Sequence, residues 1–303
     1  MSSKKTILVG VDYSSNSKNA LKEASRMANA RDLPLICFHI LDQDVLGDLE
    51  NMEAYTEEGI LNFAREKLAT FIREVIGTAN DLETVAAIGH PFEETLKLIE
   101  AHSPETLVLG SRGYTTVEHH QVGALASRCI RKAPVEVLLI RTYQDRPFQS
   151  IVACVDFSDT SNRAVHRAAE LAVQDSADLR LVHVYRPPIY ADSEIGWLGP
   201  AFPMIEEPNL QESCEGRLDQ LGYQIGTQYN LQSLSTVVKR ALTIHHGITE
   251  CLEEMEADLV VLGTRGRTGF KKLLLGTTAE GLIHNTPCST LAVKPEGFHY
   301  SLH

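Results

Sequence analysis

The sequence predicts an α/β protein built on parallel sheet, and three observations carry that prediction. Apolar runs of strand length alternate with amphipathic runs of helix length along the whole chain. The same series of runs is written twice. The fourth run in each series, Thr106 to Leu109 and Leu259 to Leu262, has almost no polar alternation, as expected of a strand covered on both faces. Strands that alternate with helices imply right-handed crossovers, with helices on both faces of the sheet.

Taken in order, the first strand is Ile7 to Val11, or Ile151 to Val155. The helix that follows shows apolar spacing at Ala20, Ala24, Met27 and Ala28, or at Ala164, Ala168, Ala169 and Ala172. The second strand is Leu35 to Leu41, or Leu179 to Tyr185. A longer helix carries Leu61, Ala64, Leu68, Phe71 and Val75; its counterpart carries Cys214, Leu218 and Leu221. The third strand is Thr84 to Ile88, or Thr236 to Arg240. A third helix shows Leu96 and Ile99, or Ile248, Cys251, Leu252 and Met255. After the fourth strand come a fourth helix and a last strand, Val135 to Ile140 or Ser289 to Val293.

The repeat is direct. Thr6-Ile-Leu-Val-Gly-Val-Asp-Tyr-Ser matches Ser150-Ile-Val-Ala-Cys-Val-Asp-Phe-Ser, which pairs Asp12 with Asp156 and Ser14 with Ser158. Leu107-Val-Leu-Gly-Ser-Arg-Gly matches Val260-Val-Leu-Gly-Thr-Arg-Gly. The offset grows from 144 to 153 between the two blocks, so the second repeat holds nine extra residues. The stretch Arg186 to Pro208, with five prolines and the single tryptophan, is the expected place for them. Two domains follow, 1–143 and 149–297, joined by the short polar stretch Tyr143 to Gln149 and so tightly coupled.

Composition excludes several classes. The chain has 303 residues, 43% hydrophobic and 22% charged, which is ordinary for a folded soluble protein and rules out disorder as the main state. The net charge of -12 argues against a nucleic-acid binder, which needs a basic face. The first apolar run is too short for a signal peptide or a membrane span, so a cytoplasmic protein is expected. The six cysteines are scattered with no CxxC pair and are expected to be reduced and mostly buried.

The most informative stretch is Gly263-Thr-Arg-Gly266, nine residues, then Gly276-Thr277. Glycine after a buried strand lets a ligand approach the main chain. Thr277-Thr-Ala-Glu280 reads as a capping box opening the fourth helix, whose free N–H groups form an anion site. No G-x-x-x-x-G-K-[ST] occurs, and no G-x-G-x-x-G follows the first strand, which sets aside a P-loop and a dinucleotide fold.

The pattern Gly-x2-Gly-x9-Gly-Ser/Thr, with a first strand ending in Asp, resembles the universal stress protein family, twice over and along nearly the whole chain. The resemblance implies two similar open parallel five-stranded sheets of order 3-2-1-4-5, helices on both faces, pairing through the last strand as an internal pseudo-dimer, and ATP binding, with or without Mg2+. Strand order would then reverse between strands one and four, where ligands sit in open α/β sheets. Carried over by position, Asp156 and the Val184 backbone face adenine; Gly263, Arg265 and Gly266 touch ribose and phosphate; Gly276, Thr277 and Thr278 hold phosphate. The first repeat offers Asp12, Ile40, Gly110, Arg112, Gly113 and Gly123, but Ala124 follows where the pattern asks for Ser or Thr. One lost hydrogen bond to a charged phosphate costs about 1.5–3 kcal/mol, roughly tenfold or more in affinity. Glu118 in the first repeat opposes a polyphosphate, whereas Lys271 and Lys272 in the second favour one. The second repeat departs from the family after strand three, with Ala241-Leu-Thr243 where the first has Gly89-His-Pro91.

Other candidates weigh less. His119-His120 and His245-His246 lack a completing ligand set, so no metal site is expected. His39 and His183 read as core or sheet-edge residues, and Cys37 and Cys154 as buried. Asp156 and Ser158 make no triad, and no catalytic residue is assigned. The insertion, with Tyr190, Trp197, Phe202 and Met204, reads as a lid, a partner contact, a ligand wall or a plain surface loop. The expectation is a cytoplasmic ATP-binding stress-response regulator, with nucleotide mainly in domain 2 and domain 1 weak, empty or structural. The alternatives are a slow ATPase, or a scaffold or carrier for a protein partner or another small ligand. The assembly would be a monomeric pseudo-dimer or a homodimer.

Overall fold

The computed structural model describes residues 5–46, 56–77, 82–112, 122–186, 210–266 and 275–300. The first half runs β1 (Ile7–Gly10), α1 (Ser15–Arg31), β2 (Leu35–Asp42), α2 (Gln43–Leu46), α3 (Glu57–Ile76), β3 (Leu82–Gly89), α4 (Pro91–His102), β4 (Thr106–Gly110), α5 (Ala124–Lys132) and β5 (Glu136–Ile140). The second half repeats it: β6 (Ser150–Cys154), α6 (Asp159–Asp175), β7 (Asp178–Tyr185), α7 (Leu210–Gln228), β8 (Ser233–Arg240), α8 (Ile244–Glu254), β9 (Leu259–Gly263), α9 (Thr277–Asn285) and β10 (Ser289–Val293). The short α2 has no signal in the periodicity. The prolines and aromatics expected to mark the insertion lie at 187–209, outside the described residues.

Each half is a parallel sheet of order 3-2-1-4-5, and the two are one sheet of ten strands, β3-β2-β1-β4-β5-β10-β9-β6-β7-β8. Two five-stranded sheets paired through the last strand were expected. They fuse because β5 and β10 pair antiparallel, with Leu138 opposite Leu291. The expected pairing through the last strand is thus what joins them.

Alternation along the strands builds two cores. Ile7 and Val9 point to the face covered by α1, α3, α6 and α7, while Leu8 points to the face covered by α4, α5, α8 and α9. Both cores run unbroken across the junction of the halves: Leu138 and Leu291 share the first, Leu139 and Ala292 the second. His39 and His183 lie on the interior strands β2 and β7, not at an edge, and each ring Nδ1 sits 2.7 Å from the carbonyl of Val11 or Val155.

Charges pinned between helices flank the seam. Arg26 of α1 makes a two-pronged bridge to Asp175 of α6, at 2.7 Å on each arm, and also binds Glu23. Arg167 of α6 reaches into the first half, to Glu105 at 2.7 Å and Glu136 at 2.8 Å. Glu105 also receives Arg31 and Lys5. Burial alone would raise its carboxyl, but the Arg31 hydrogen bonds and the Arg167 charge outweigh that and hold it down at about 2. A carboxylate depressed on folding stabilises the fold above its unfolded pKa and loses that contribution as pH falls through the folded value. The protein should therefore lose stability between pH 4.5 and about 2 in part through this group. Glu105→Gln should be less stable at neutral pH and show a flatter acid limb in chemical denaturation; an acid limb of unchanged slope would remove Glu105 from the account.

Candidate functional site

The site starts from the turn after the first strand of each half. The ladder ends at Gly10 and Cys154, one residue earlier than expected, so Asp12 and Asp156 belong to the turn. Each carboxylate accepts from the backbone N–H and the hydroxyl of the serine two residues on: Ser14 at 3.0 and 2.6 Å, Ser158 at 2.9 and 2.6 Å. The same hydroxyls accept from Ser17 N–H at 3.1 Å and Ser161 N–H at 3.2 Å, capping α1 and α6. Between the pairs stand Tyr13 and Phe157, both left-handed with φ of 66° and 61°. Side chains of that bulk rarely adopt this backbone, at a cost on the order of 1 kcal/mol or more. Packing holds them there. Tyr13 lies 4.6 Å from the His39 ring with Lys67 over its own ring, and Phe157 lies 4.7 Å from His183 with Arg217 over it.

In the second half, the ends of β6, β7 and β9 and the start of α9 surround a cavity of about 330 Å3. All eight residues singled out there by sequence line it: Asp156, Val184, Gly263, Arg265, Gly266, Gly276, Thr277 and Thr278. The floor is apolar, with Val182, Ile248, Leu262 and the Cys154 thiol, which burial pushes far up and so keeps protonated. Gly263 has a role that the pattern did not reveal. A side chain there would meet the Ser161 nitrogen at 3.1 Å, so its absence lets α6 settle on the strand end. Gly276 differs: its backbone is extended at φ -72°, and among the described residues beyond its chain neighbours an added carbon would meet nothing nearer than 3.7 Å. The described residues do not require glycine at 276, and the space beside it opens on the cavity that Gly276 lines.

Gly276, not Thr277, caps α9, which corrects the capping-box expectation. Thr277 already occupies the first helical position. Glu280 turns away to Arg131 of α5, at 2.7 Å. The N–H groups of the first turn, Thr277 to Ala279, therefore face the cavity mouth without an intrahelical acceptor. A hydrogen bond of 2.9 Å from Gly276 N–H to Thr264 carbonyl closes the two glycine turns onto one another. Arg265 stacks over Phe298 at 5.2 Å, and its buried Nε, like that of Arg112 in the first half, has no partner among the described residues. An orphaned guanidinium nitrogen, a vacant space at Gly276 and an uncapped helix start are together suited to an anion.

The first half forms a matching cavity of about 350 Å3, lined by Asp12, Ile40, Gly110, Arg112 and Gly123. Gly113, Glu118 and the pair His119-His120 fall outside the described residues, as do Lys271 and Lys272. Ala124 and Leu125 take the places of Thr277 and Thr278. Asp42, Asp44 and His90 gather at its mouth, a trio whose ligand atoms lie within 4.8 Å of one another and which sequence reading missed. The signal was available only through register: Asp42 pairs with Gly89 across β2 and β3, and Asp44 follows on α2. In the second half the position that matches Asp42 carries Arg186.

Comparison with known proteins agrees with the doubled architecture. The family model "Universal stress protein family" matches residues 4–141 and again 147–294. A universal stress protein of Mycolicibacterium smegmatis is 24% identical over 298 residues, covering 95% of this chain and 97% of that one. Universal stress protein A homolog 1 of Coxiella burnetii is 33% identical over 153 residues, covering 48% of this chain and 96% of its own. The crystal structure of a universal stress protein from Archaeoglobus fulgidus aligns with a TM-score of 0.64 at 18% identity, over 97% of this chain and 99% of that one.

Ser158 both caps α6 and orients Asp156. Ser158→Ala should cost about 1 kcal/mol of stability in urea or guanidinium unfolding. An unchanged midpoint would show that the turn is held by packing alone.

Proposed function

The chain belongs to the universal stress protein family, and from that premise we propose that its second half is an ATP-binding regulatory unit, with the bound nucleotide as its signal. The reading is carried by one observation: the cavity beyond β6 and β9 joins an apolar pocket to an uncapped helix start and an orphaned arginine nitrogen. Apolar walls and the Val184 backbone suit a purine, and the Asp156 carboxylate suits ribose hydroxyls. The phosphates would meet Arg265, the Thr277 and Thr278 hydroxyls, and the first N–H groups of α9. Mg2+, where it takes part, would arrive on the triphosphate, whose oxygens it prefers to a protein cage.

Charge supports the choice of half. Arg186 follows β7 in the second half, at the position where the first half carries Asp42. A ligand that prefers one arrangement of the α9 start and the Arg265 loop shifts the population toward it, which is how binding becomes a signal. All six cysteines are free, which suits a reducing cytoplasm. Among the described residues, no helix is long and apolar enough to cross a membrane.

Gly276→Val tests the proposal, because the described residues leave room for the side chain and the proposed phosphate site does not. Calorimetric titration should give one ATP per chain in the wild type and at least a tenfold loss in the variant, with unchanged circular dichroism. No heat from the wild type would end the nucleotide reading.

A further inference from the structure

We propose that Lys294, buried at the seam, is a positioning residue that acts through Arg265: it takes up a proton when a polyphosphate occupies the second-half site, and so makes occupancy depend on pH. The inference rests on the reading of that half as a polyphosphate site and adds a control to it.

The seam carries one cation at each end. Arg141 follows β5 and donates to the Ile283 carbonyl at 3.1 Å; Lys294 follows β10 and donates to the Ile130 carbonyl. Both the cations and the carbonyls are repeat equivalents, 153 residues apart. Arginine keeps its charge at any ordinary pH, whereas a buried lysine can lose it. The end of the seam that holds Arg265 therefore has the titratable cation.

Lys294 is 4% exposed, and among the described residues no carboxylate pairs with it or with Arg265. From α5 it meets the Ile130 carbonyl and the Cys129 thiol, which burial pushes up to about 12 and so keeps neutral. The other charges of α5 are engaged elsewhere: Arg128 over the Phe92 ring, Lys132 over Tyr300, and Arg131 with Glu280 of α9. Glu296, two residues on, is exposed and lies 3.9 Å from Arg163. Glu136 opens β5 beside Val137, the partner of Ala292, but points to the opposite face of the sheet, where Arg167 holds it at 2.8 Å. What remains facing Lys294 is Arg265.

One ring joins the two cations. The Lys294 ammonium lies 5.0 Å and the Arg265 guanidinium 5.2 Å from the centre of Phe298, which is itself buried. A turn fixes that ring: the Phe298 N–H donates to the Pro295 carbonyl at 3.3 Å, and Gly297 is left-handed with φ of 64°. Two cations on one buried ring repel each other where water cannot screen them. Burial, the largest cause, and the Arg265 charge hold the ammonium down at about 7, against Cys129. Phosphate oxygens on Arg265 cancel the repulsion and draw a proton onto the lysine. By reciprocity, the protonated lysine strengthens the hold on phosphate. Affinity is then full below about 7 and falls as pH rises above it, until the higher pKa of the occupied state is passed.

The test titrates ATP into the full-length protein from about pH 6 to about pH 9, with Lys294→Arg and Lys294→Met alongside. Across that range wild-type affinity should fall roughly threefold or more further than that of Lys294→Arg, whose charge is permanent. Arg141 shows that the seam accepts an arginine at the equivalent place. Comparing the two proteins cancels the nucleotide's own ionisation. Lys294→Met should bind weakly throughout, with circular dichroism to check that it folds. One pH profile shared by wild type and Lys294→Arg overturns the proposal, and so does a folded Lys294→Met that binds as tightly as wild type at the acid end. Inorganic tripolyphosphate is titrated in the same series. If it binds with the lysine-dependent profile and ATP does not bind, the nucleotide reading of the second half fails alone. If ATP binds and the arginine leaves its profile unchanged, this proposal fails alone. If neither ligand binds, both fail.

Discussion

The antiparallel pairing of β5 with β10 is the contact on which the rest depends. Each half is an open parallel sheet with two raw edges, and an exposed edge invites uncontrolled pairing. Joining β5 to β10 removes one edge from each half and makes both cores continuous. It also sets a pseudo-two-fold axis, visible in equivalent bonds across the seam: Arg141 donates to the Ile283 carbonyl at 3.1 Å, and Lys294 donates to the Ile130 carbonyl. Lys294 is almost fully buried there, and desolvation pushes its ammonium down to about 7.

Two-fold geometry would equally allow either half to pair with a copy of itself. The flanking charges discriminate against that. Arg167 of α6 faces Glu105 and Glu136 of the first half. Its repeat equivalent on α1 is Glu23, and the equivalent of Arg26 is Glu170. In a self-pair of the first half, Glu23 would stand where Arg167 does, against two partly buried glutamates. Like charges in a desolvated contact cost far more than an exposed pair gains, so the swapped signs favour the internal partner.

The fold was legible in the sequence because buried parallel strands leave little freedom: Leu107 to Leu109 and Val260 to Leu262 can be nothing but strand between helices. The repeat then fixed which segments correspond. Within the candidate site, the residues at strand ends were legible for the same reason, since Asp156, Val184 and Gly263 sit at positions that the topology aims at one crevice. What escaped depends on cross-strand neighbours. The Asp42, Asp44 and His90 trio joins residues from β2, α2 and the β3–α4 turn, and no spacing along the chain reveals it. The capping box failed because a Thr-x-x-Glu pattern does not say which residue turns into the helix first; the Glu280 side chain found Arg131 across the seam instead.

These constraints divide each cavity into a part that can change and a part that cannot. Gly110 and Gly263 admit the first turn of the following helix, since a side chain would strike Asn16 or Ser17 in one half and Thr160 or Ser161 in the other. Asp12 and Asp156 complete the capped turn that holds a left-handed aromatic residue. Both features therefore persist whether or not a ligand is bound, and their presence in the first half says little about its chemistry. Residue 124 and the rim at 42–44 are different, because they are exposed or partly exposed and no core depends on them. Differences in what each half binds must lie in that outer ring, where Ala124 and Leu125 replace Thr277 and Thr278 and Asp42 stands at the position of Arg186.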